Sequence, residues 1–443
     1  MFHKVLVANR GEIALRIIDA CHQLDVPTVA VYSEADREAL HVRLADEAYC
    51  TGPPPASQSY LNIAQLMSVA EVTGADAVHP GYGFLAENAH FVEVCEASGL
   101  KFIGPGAEVM ADTGDKLAAK RAAKAANVPT IPGSERIAND AQLVQVAKKI
   151  GYPLMLKASS GGGGRGMRAV NGPDELLSQF HAASREARAA FGDGDVYVEK
   201  LLLQPRHVEV QVLADEHGHV VHWGDRDCSV QRRHQKLVEE APAPNLSETT
   251  QRALRRAAVE VAKRLHYTNA GTVEFLIAGD QFYFIEMNAR VQVEHPVSEV
   301  LVGKDLVVEQ LRIAAGQELG YGQRQLRLQG HAIECRINAE DPYRDFMPST
   351  GQLSVRSLPG GHGVRWDSAI YNGMSVSPFY DSLLGKLICW GATREQARRR
   401  TLAALRLLDL EGVATTTRLC QDIVNHPAFA EQRHATDLVE GLI

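Results

Sequence analysis

Apolar positions recur along the chain with two different periods, and the alternation between those periods predicts the order of elements. "KVLVAN" near the start is a short unbroken apolar run, "EIALRIIDACHQL" repeats its apolar positions at helical spacing, and "VPTVAVYS" returns to strand. Strand, helix and strand with short connections imply a right-handed parallel unit. "ADAVHP" and "KFIGP" continue the pattern, so residues 1–112 are expected to form one α/β domain. The loop "GYGFLAEN" lies just past the end of a strand, where ligand crevices commonly form.

Asp115 is the predicted N-cap of an alanine-rich helix, "KLAAKRAAKAA", that ends at Asn127 before Pro129. Lys116 falls in its first turn, where the helix dipole disfavours a cation; a nearby anion would relieve this, and so would plain solvation. From 196 to about 296 strands dominate ("VYVEKLL", "RHVEVQVLAD", "VVHWGDRDCSV", "GTVEFLIAGD", "QFYFIEMN"), interrupted by one helical stretch, "ETTQRALRRAAVEVAKRL". The last region, from about 330, mixes strands with Gly/Pro turns. It closes on a helix with a capping-box spacing from Thr393 to Gln396.

Composition narrows the function classes. A length of 443 residues favours about three domains, and a net charge of -8 argues against a dedicated nucleic-acid binder. The seven cysteines are scattered without a Cys-x-x-Cys pair, which predicts free thiols in a reducing compartment. No apolar run has the length of a membrane span or the form of a signal peptide, so the expectation is a soluble cytoplasmic protein with no membrane partner.

"KASSGGGGRGM", 157–167, demands that something approach its backbone or that it turn freely. Glycine-run matches to a dinucleotide fingerprint carry no weight, because "GMRAV" follows where a helix is required; the Walker pattern fails for want of Gly-Lys-Ser/Thr. A strand, a glycine loop and a second strand remain. The loop's bare N–H groups are able to fold over an anion, or the loop is a hairpin with no ligand.

The most informative stretch is "IEMNARVQVEH", 285–295. Read as extended throughout, it places Glu286, Asn288, Arg290, Gln292 and Glu294 on one face. The preceding segment reads as a hairpin turning at Gly279-Asp280; a three-residue loop makes Glu274 and Glu286 diagonal neighbours on one face, whereas a two-residue loop separates them. Two carboxylates ~7 Å apart repel by roughly 2 kcal/mol at an effective dielectric of 20. A hard cation removes that penalty, and oxygen ligands suit Mg²⁺ held with a nucleotide; a half-buried strand with a wet side is the plainer alternative. "HVEVQV" and "IECRIN" repeat the alternation with His207, Glu209, Gln211 and Glu334, Arg336, Asn338. "QRRHQK" gathers Arg232, Arg233, His234 and Lys236 into a cationic cluster suited to a phosphate or carboxylate, or into a surface salt-bridge patch.

These motifs, with "RDCSVQRRHQK", "FIEMNARVQVEHPV", "GHAIECRINAEDP", "ANRGEIALRI" and "HPGYGFLAEN", resemble the biotin carboxylase subunit of biotin-dependent carboxylases nearly end to end. The resemblance implies an α/β (α+β) ATP-grasp fold: an N-terminal parallel-sheet domain at 1–112, an ATP-grasp domain at 113–328 with a mobile glycine-rich lid at about 130–200, and a C-terminal domain at 329–443. It implies that Lys116 and Lys157 contact ATP phosphates with lid amides from Gly163 and Gly164. It assigns Glu199, Lys200 and Leu202 to the adenine end, and His207, Gln231, His234 and Leu276 to further nucleotide contacts. Glu274, Glu286 and Asn288 would hold Mg²⁺ or Mn²⁺. Lys236, Arg290, Gln292 and Val293 would bind bicarbonate, Glu294 would deprotonate it, Arg336 would stabilise the biotin enolate, and Tyr82 lies in the loop approaching biotin.

Three positions depart from the family pattern: Ser160 interrupts the glycine run, Ala289 replaces a common Thr and Thr350 a common Pro. The chain holds no Met-Lys-Met attachment motif, so biotin is expected to arrive on a separate biotin carboxyl carrier protein, with carboxyltransferase subunits as further partners and a homodimer as the expected assembly.

Overall fold

The computed structural model describes residues 1–159, 167–233 and 235–443. The predicted βαβ opening is present: β1 (Val5–Val7), the helix Gly11–His22 and β2 (Thr28–Ser33) begin a five-stranded parallel sheet. Its other strands are β3 (Glu47–Gly52), β4 (Ala77–His79) and β5 (Lys101–Phe102), in the order β3-β2-β1-β4-β5. β3 escaped the sequence reading because most of its residues are half-buried at the sheet edge and polar enough to read as loop.

Asp115 caps the helix Lys116–Ala125 as expected, its carboxylate accepting from the N–H groups of Leu117 and Ala118. β6 (Leu154–Ala158) and β7 (Arg168–Val170) pair antiparallel across the glycine segment, and β8 (Val196–Lys200) completes this small sheet. The strand–glycines–strand reading therefore holds for the flanks, while Ser160, Gly163 and Gly164 lie outside the described residues.

The centre is an eight-stranded sheet. β9 (Arg206–Ala214), β10 (Val220–Arg232), β11 (Gln235–Ala241), β12 (Asn269–Ala278), β13 (Gln281–Asn288) and β14 (His331–Asn338) run in the order β13-β12-β9-β10-β11-β14. The strands Leu383–Gly391 and Val364–Ser368 extend its far edge. β14 thus joins residues from the end of the chain to the same sheet as the acidic hairpin. One apolar cluster runs from Leu6, Val29 and Val78 to Val208, Val273 and Phe284, so the parallel sheet and the central sheet pack as neighbours.

All seven cysteines are free and only Cys50 is exposed. No helix among the described residues is long and apolar enough to cross a membrane.

Candidate active site

A cleft of about 1250 Å³ opens where the three sheets meet. Tyr82, Lys116, Lys157, Glu199, Lys200, Leu202, His207, Gln231, Lys236, Glu274, Leu276, Glu286, Asn288, Arg290, Gln292, Val293, Glu294 and Arg336 all line it. His234, like the lid glycines, lies outside the described residues.

The acidic hairpin corrects the expected geometry. Its turn has two residues, Gly279 and Asp280, between paired Ala278 and Gln281, and Gly279 takes the positive φ of 62° that a tight turn requires. That register alone would put Glu274 and Glu286 on opposite faces. The register shifts between Phe275, paired with Phe284, and Glu274, paired with Glu286, leaving Ile285 as the extra residue of a β-bulge. The two acids consequently stand directly opposite each other rather than diagonally.

The stretch 285–295 is not one strand. β13 ends at Asn288, where Glu87 intervenes: it accepts from the Ala289 N–H at 3.1 Å and from Arg290 Nε at 2.8 Å. A turn carries Arg290 to Glu294, and Pro296 then starts the helix His295–Val302 with Glu294 at its N-cap. The irregular turn still delivers the polar side chains of the alternating pattern to the cleft.

At the centre Lys236 Nζ lies 2.6 Å from Glu209, 2.6 Å from Glu294, 3.2 Å from Glu274 and 3.5 Å from Gln292. Glu294 gives its other oxygen to Arg336 at 2.8 Å. Burial opposes ionisation of Glu294, but Lys236, Arg336 and Arg226 outweigh it and hold the carboxyl well below its usual range. Glu274 is likewise held low against burial by Lys236 and by His207, whose Nε2 is 2.9 Å away. Burial alone would lower Lys236, yet the carboxylates of Glu209, Glu274 and Glu294 raise it well above the ordinary lysine value.

Beneath this layer Arg226, fully buried, bonds Glu209 at 2.5 Å, Gln211 at 2.7 Å, Ser298 at 3.1 Å and Thr272 at 3.1 Å. The sequence reading missed Arg226, Glu87 and the part played by Glu209. An arginine inside a strand-rich run such as "GDRDCSV" is the signal that was available, since such a charge stays buried only when fully paired.

Other residues diverge from expectation. Of the described "QRRHQK" cations, Lys236 enters the cleft and Arg233 lines it, while Arg232 and Arg233 both reach Asp345, Arg232 with its guanidinium 4.1 Å from the Phe346 ring centroid. The run crosses the turn between β10 and β11, so Arg232 and Arg233 meet at Asp345 beside the turn while Lys236 returns along β11 into the cleft. Lys200 turns its ammonium to the carbonyls of Gly151 and Tyr152, so only its backbone is free to face the cleft. Lys116 finds the anion its helix position called for in Glu286, at 3.5 Å. Lys157 and Lys120 both pair with Glu199, Lys157 at 2.8 Å. The Tyr82 hydroxyl donates to Glu12, which lies 3.1 Å from buried Lys386.

Among the described residues, two groupings are close enough to hold a metal, His207–Glu209–Glu274 and Glu209–Cys228–Glu294. In both, the Lys236 ammonium already occupies the space between the carboxylates, so neither fits a divalent ion. The opposed pair Glu274 and Glu286 with Asn288 offers oxygen donors of the kind Mg²⁺ or Mn²⁺ takes; Asn288 here donates its amide nitrogen to Glu274 at 3.0 Å and gives its oxygen to Arg290, so its amide would turn over, and Lys116 and Lys236 would draw back, to admit the ion.

Comparison with known proteins gives three family matches along the chain. "Biotin carboxylase, N-terminal domain" covers residues 1–110, "Carbamoyl-phosphate synthase L chain, ATP binding domain" covers 115–321 and "Biotin carboxylase C-terminal domain" covers 334–441. A biotin carboxylase of Nostoc sp. is 52% identical over 100% of this chain and 99% of its own. A biotin carboxylase from Campylobacter jejuni, solved as a β,γ-ATP complex, superposes with a TM-score of 0.97 at 44% identity, covering 100% of this chain and 99% of the other. The biotin carboxylase domain dimer of the Hydrogenobacter thermophilus 2-oxoglutarate carboxylase, solved with MgADP, ADP and bicarbonate, gives 0.96 at 47% identity, covering 100% and 98%.

Proposed function

The chain belongs to the biotin carboxylase family of ATP-dependent ligases, and from that premise we propose that it carboxylates biotin borne on a separate carrier protein, as the first half-reaction of an acyl-CoA carboxylase with acetyl-CoA the favoured acceptor. One observation carries the mechanism: Glu294, buried and anionic, sits between Lys236 and Arg336 at the floor of the cleft.

ATP lies along the cleft with its adenine against the backbone of Glu199, Lys200 and Leu202 and against Leu276. Its phosphates meet Lys116 and Lys157, with His207 and Gln231 beside them. Bicarbonate is held by Lys236, Arg290, Gln292 and the Val293 backbone. As a second anion at Lys236 it draws on the charge that keeps Glu294 deprotonated, which raises the proton affinity of Glu294 at the moment a base is needed. Glu294 takes the bicarbonate proton, the oxyanion attacks the γ-phosphorus, and carboxyphosphate and ADP form; Lys116 and Lys157 offset charge on the transferring group. Glu274, Glu286 and Asn288 would hold Mg²⁺ or Mn²⁺, whose chemistry is to neutralise phosphate charge.

Carboxyphosphate then divides into CO₂ and phosphate. The phosphate removes the N1′ proton of biotin, and the enolate captures CO₂ with Arg336 facing its oxyanion. Tyr82 lines the approach. The domain division at 112 and 328, the lid at about 130–200 with Gly163 and Gly164 over the phosphates, His234 at the nucleotide, a homodimer, carboxyltransferase partners and a cytoplasmic setting complete the proposal; seven unpaired cysteines support a reducing compartment.

The test is ADP release from Mg-ATP with components omitted singly. Release should collapse without bicarbonate and rise with free biotin. Release indifferent to both omissions ends the reading, and bicarbonate dependence with no response to biotin would favour a carbamoyl-phosphate type of ligase.

A further inference from the structure

Arg336 has two carboxylate partners, and only one of them belongs to the site described above. Its terminal nitrogen reaches Glu294 at 2.8 Å, while Nε donates to Glu239 Oε1 at 2.6 Å. Glu239 on β11 is the register partner of Glu334 on β14, so the two side chains project from the same face of the sheet, and both are fully buried. Among the described residues, Glu239 Oε2 and both oxygens of Glu334 have no hydrogen-bond partner. Three bare oxygens on adjacent buried carboxyls are not compatible with two full negative charges. A proton placed between them supplies one carboxyl with a donor and the other with a partner.

We infer that Glu239 and Glu334 hold one proton between them and that Glu239, the anionic member, is a positioning residue for Arg336. The charged groups acting on the pair are Arg336, Glu294, Lys236 and Lys386. Burial pushes Glu239 up to about 7 against the pull of Arg336, and pushes Glu334 well above the carboxylate range, in keeping with a shared proton at neutral pH.

The role rests on the function proposed above. Once Glu294 has taken the proton of bicarbonate, its bond to Arg336 is no longer between opposite charges. Glu239 is then the anion that keeps the guanidinium aimed until the biotin enolate forms. The pair therefore serves the second stage more than the first.

The inference is tested with Glu239→Gln and Glu334→Gln in the full chain, assayed for ADP release with bicarbonate alone and for the biotin-dependent increment. In Glu239→Gln the biotin-dependent rate should fall ~10-fold or more while release without biotin changes less than ~3-fold, on the scale of losing one charge-assisted hydrogen bond to a group used only late. Glu334→Gln keeps an N–H donor toward Glu239 and should hold both rates within about 3-fold of wild type. Equal loss at both stages in Glu239→Gln, or no loss at either, overturns the positioning role. Infrared difference spectra of the unsubstituted protein supply a readout free of activity: a protonated-carboxyl band should be present at neutral pH and absent in Glu334→Gln. Its absence from the unsubstituted protein overturns the shared proton. If the unsubstituted protein releases no ADP in response to bicarbonate, the proposed function has failed, and the infrared result still judges the pair.

Discussion

Glu274 and Glu286 face each other across a hairpin whose two-residue turn, by itself, would have sent them to opposite sides of the sheet; the bulge at Ile285 brings them together. Side chains directly opposite lie about 5 Å apart at Cβ, where two unit charges repel by about 3 kcal/mol at an effective dielectric of 20. Lys236 and Lys116 each take part of that charge from one side.

Glu286→Gln removes one of the two acids and leaves Lys236 and Glu294 untouched. The Mg²⁺ concentration for half-maximal ADP release should rise ~10-fold or more, as loss of a charged ligand implies, with the bicarbonate KM little altered. A titration of rate against Mg²⁺ at fixed ATP checks this, and an unchanged metal requirement would remove Glu286 from the ligand set.

Glu294→Gln keeps the shape of the site and removes the carboxylate proposed as the base. Bicarbonate-dependent ADP release should fall at least ~100-fold, the low end of what a general base contributes, while nucleotide affinity measured by calorimetry stays within a few-fold.

Lys386 is wholly buried, 3.1 Å from Glu12, and donates to the Val293 carbonyl at 3.0 Å. Burial already raises the Glu12 carboxyl against the pull of Lys386, so Lys386→Met obliges it to fold with a captured proton or as an unpaired charge and should cost about 3–5 kcal/mol in urea unfolding. The double variant Glu12→Gln/Lys386→Met removes both charges and should recover most of the loss, since Gln at 12 still offers the Tyr82 hydroxyl an acceptor.

Four histidines among the described residues, His41, His79, His222 and His295, are lowered by burial and make stability fall with acid. Burial lowers His41 to about 4 and His79 to about 3, and His79 Nδ1 accepts from the Gly81 N–H at 3.1 Å, which requires the neutral ring. With an unfolded value of about 6.5, the unfolded chain binds more protons below that pH; the stabilisation is complete above about 6.5 and is lost as pH drops toward 4. Between pH 7.5 and 5.5 each of the four should remove about 1.3 kcal/mol, so His79→Asn should lessen the pH dependence of the unfolding free energy by about 1.3 kcal/mol in urea unfolding measured at both pH values.

Where a local rule dictates structure, the sequence was readable. Asp115 capped its helix, and the strands on either side of the glycine run paired as antiparallel neighbours. The bulge at Ile285 left no trace, because one extra residue shifts register without altering composition. The alternation from Glu286 to Glu294 misled for the opposite reason: an irregular turn preserved a strand-like pattern after the hydrogen bonds had moved to Glu87. Side chains such as Arg226 and Glu239 act through partners far away in the chain, at Thr272, Ser298 and Arg336, and no local window holds both ends. The cleft residues were named chiefly by their resemblance to a family; what the structure adds is their convergence in one cleft.

The most direct measurement follows the carbon itself. With isotopically labelled bicarbonate, Mg-ATP and free biotin, the protein should place label in acid-labile carboxybiotin, one ADP forming for each label transferred at saturating biotin. Label that never leaves bicarbonate while ADP accumulates at the full biotin-stimulated rate would contradict the account.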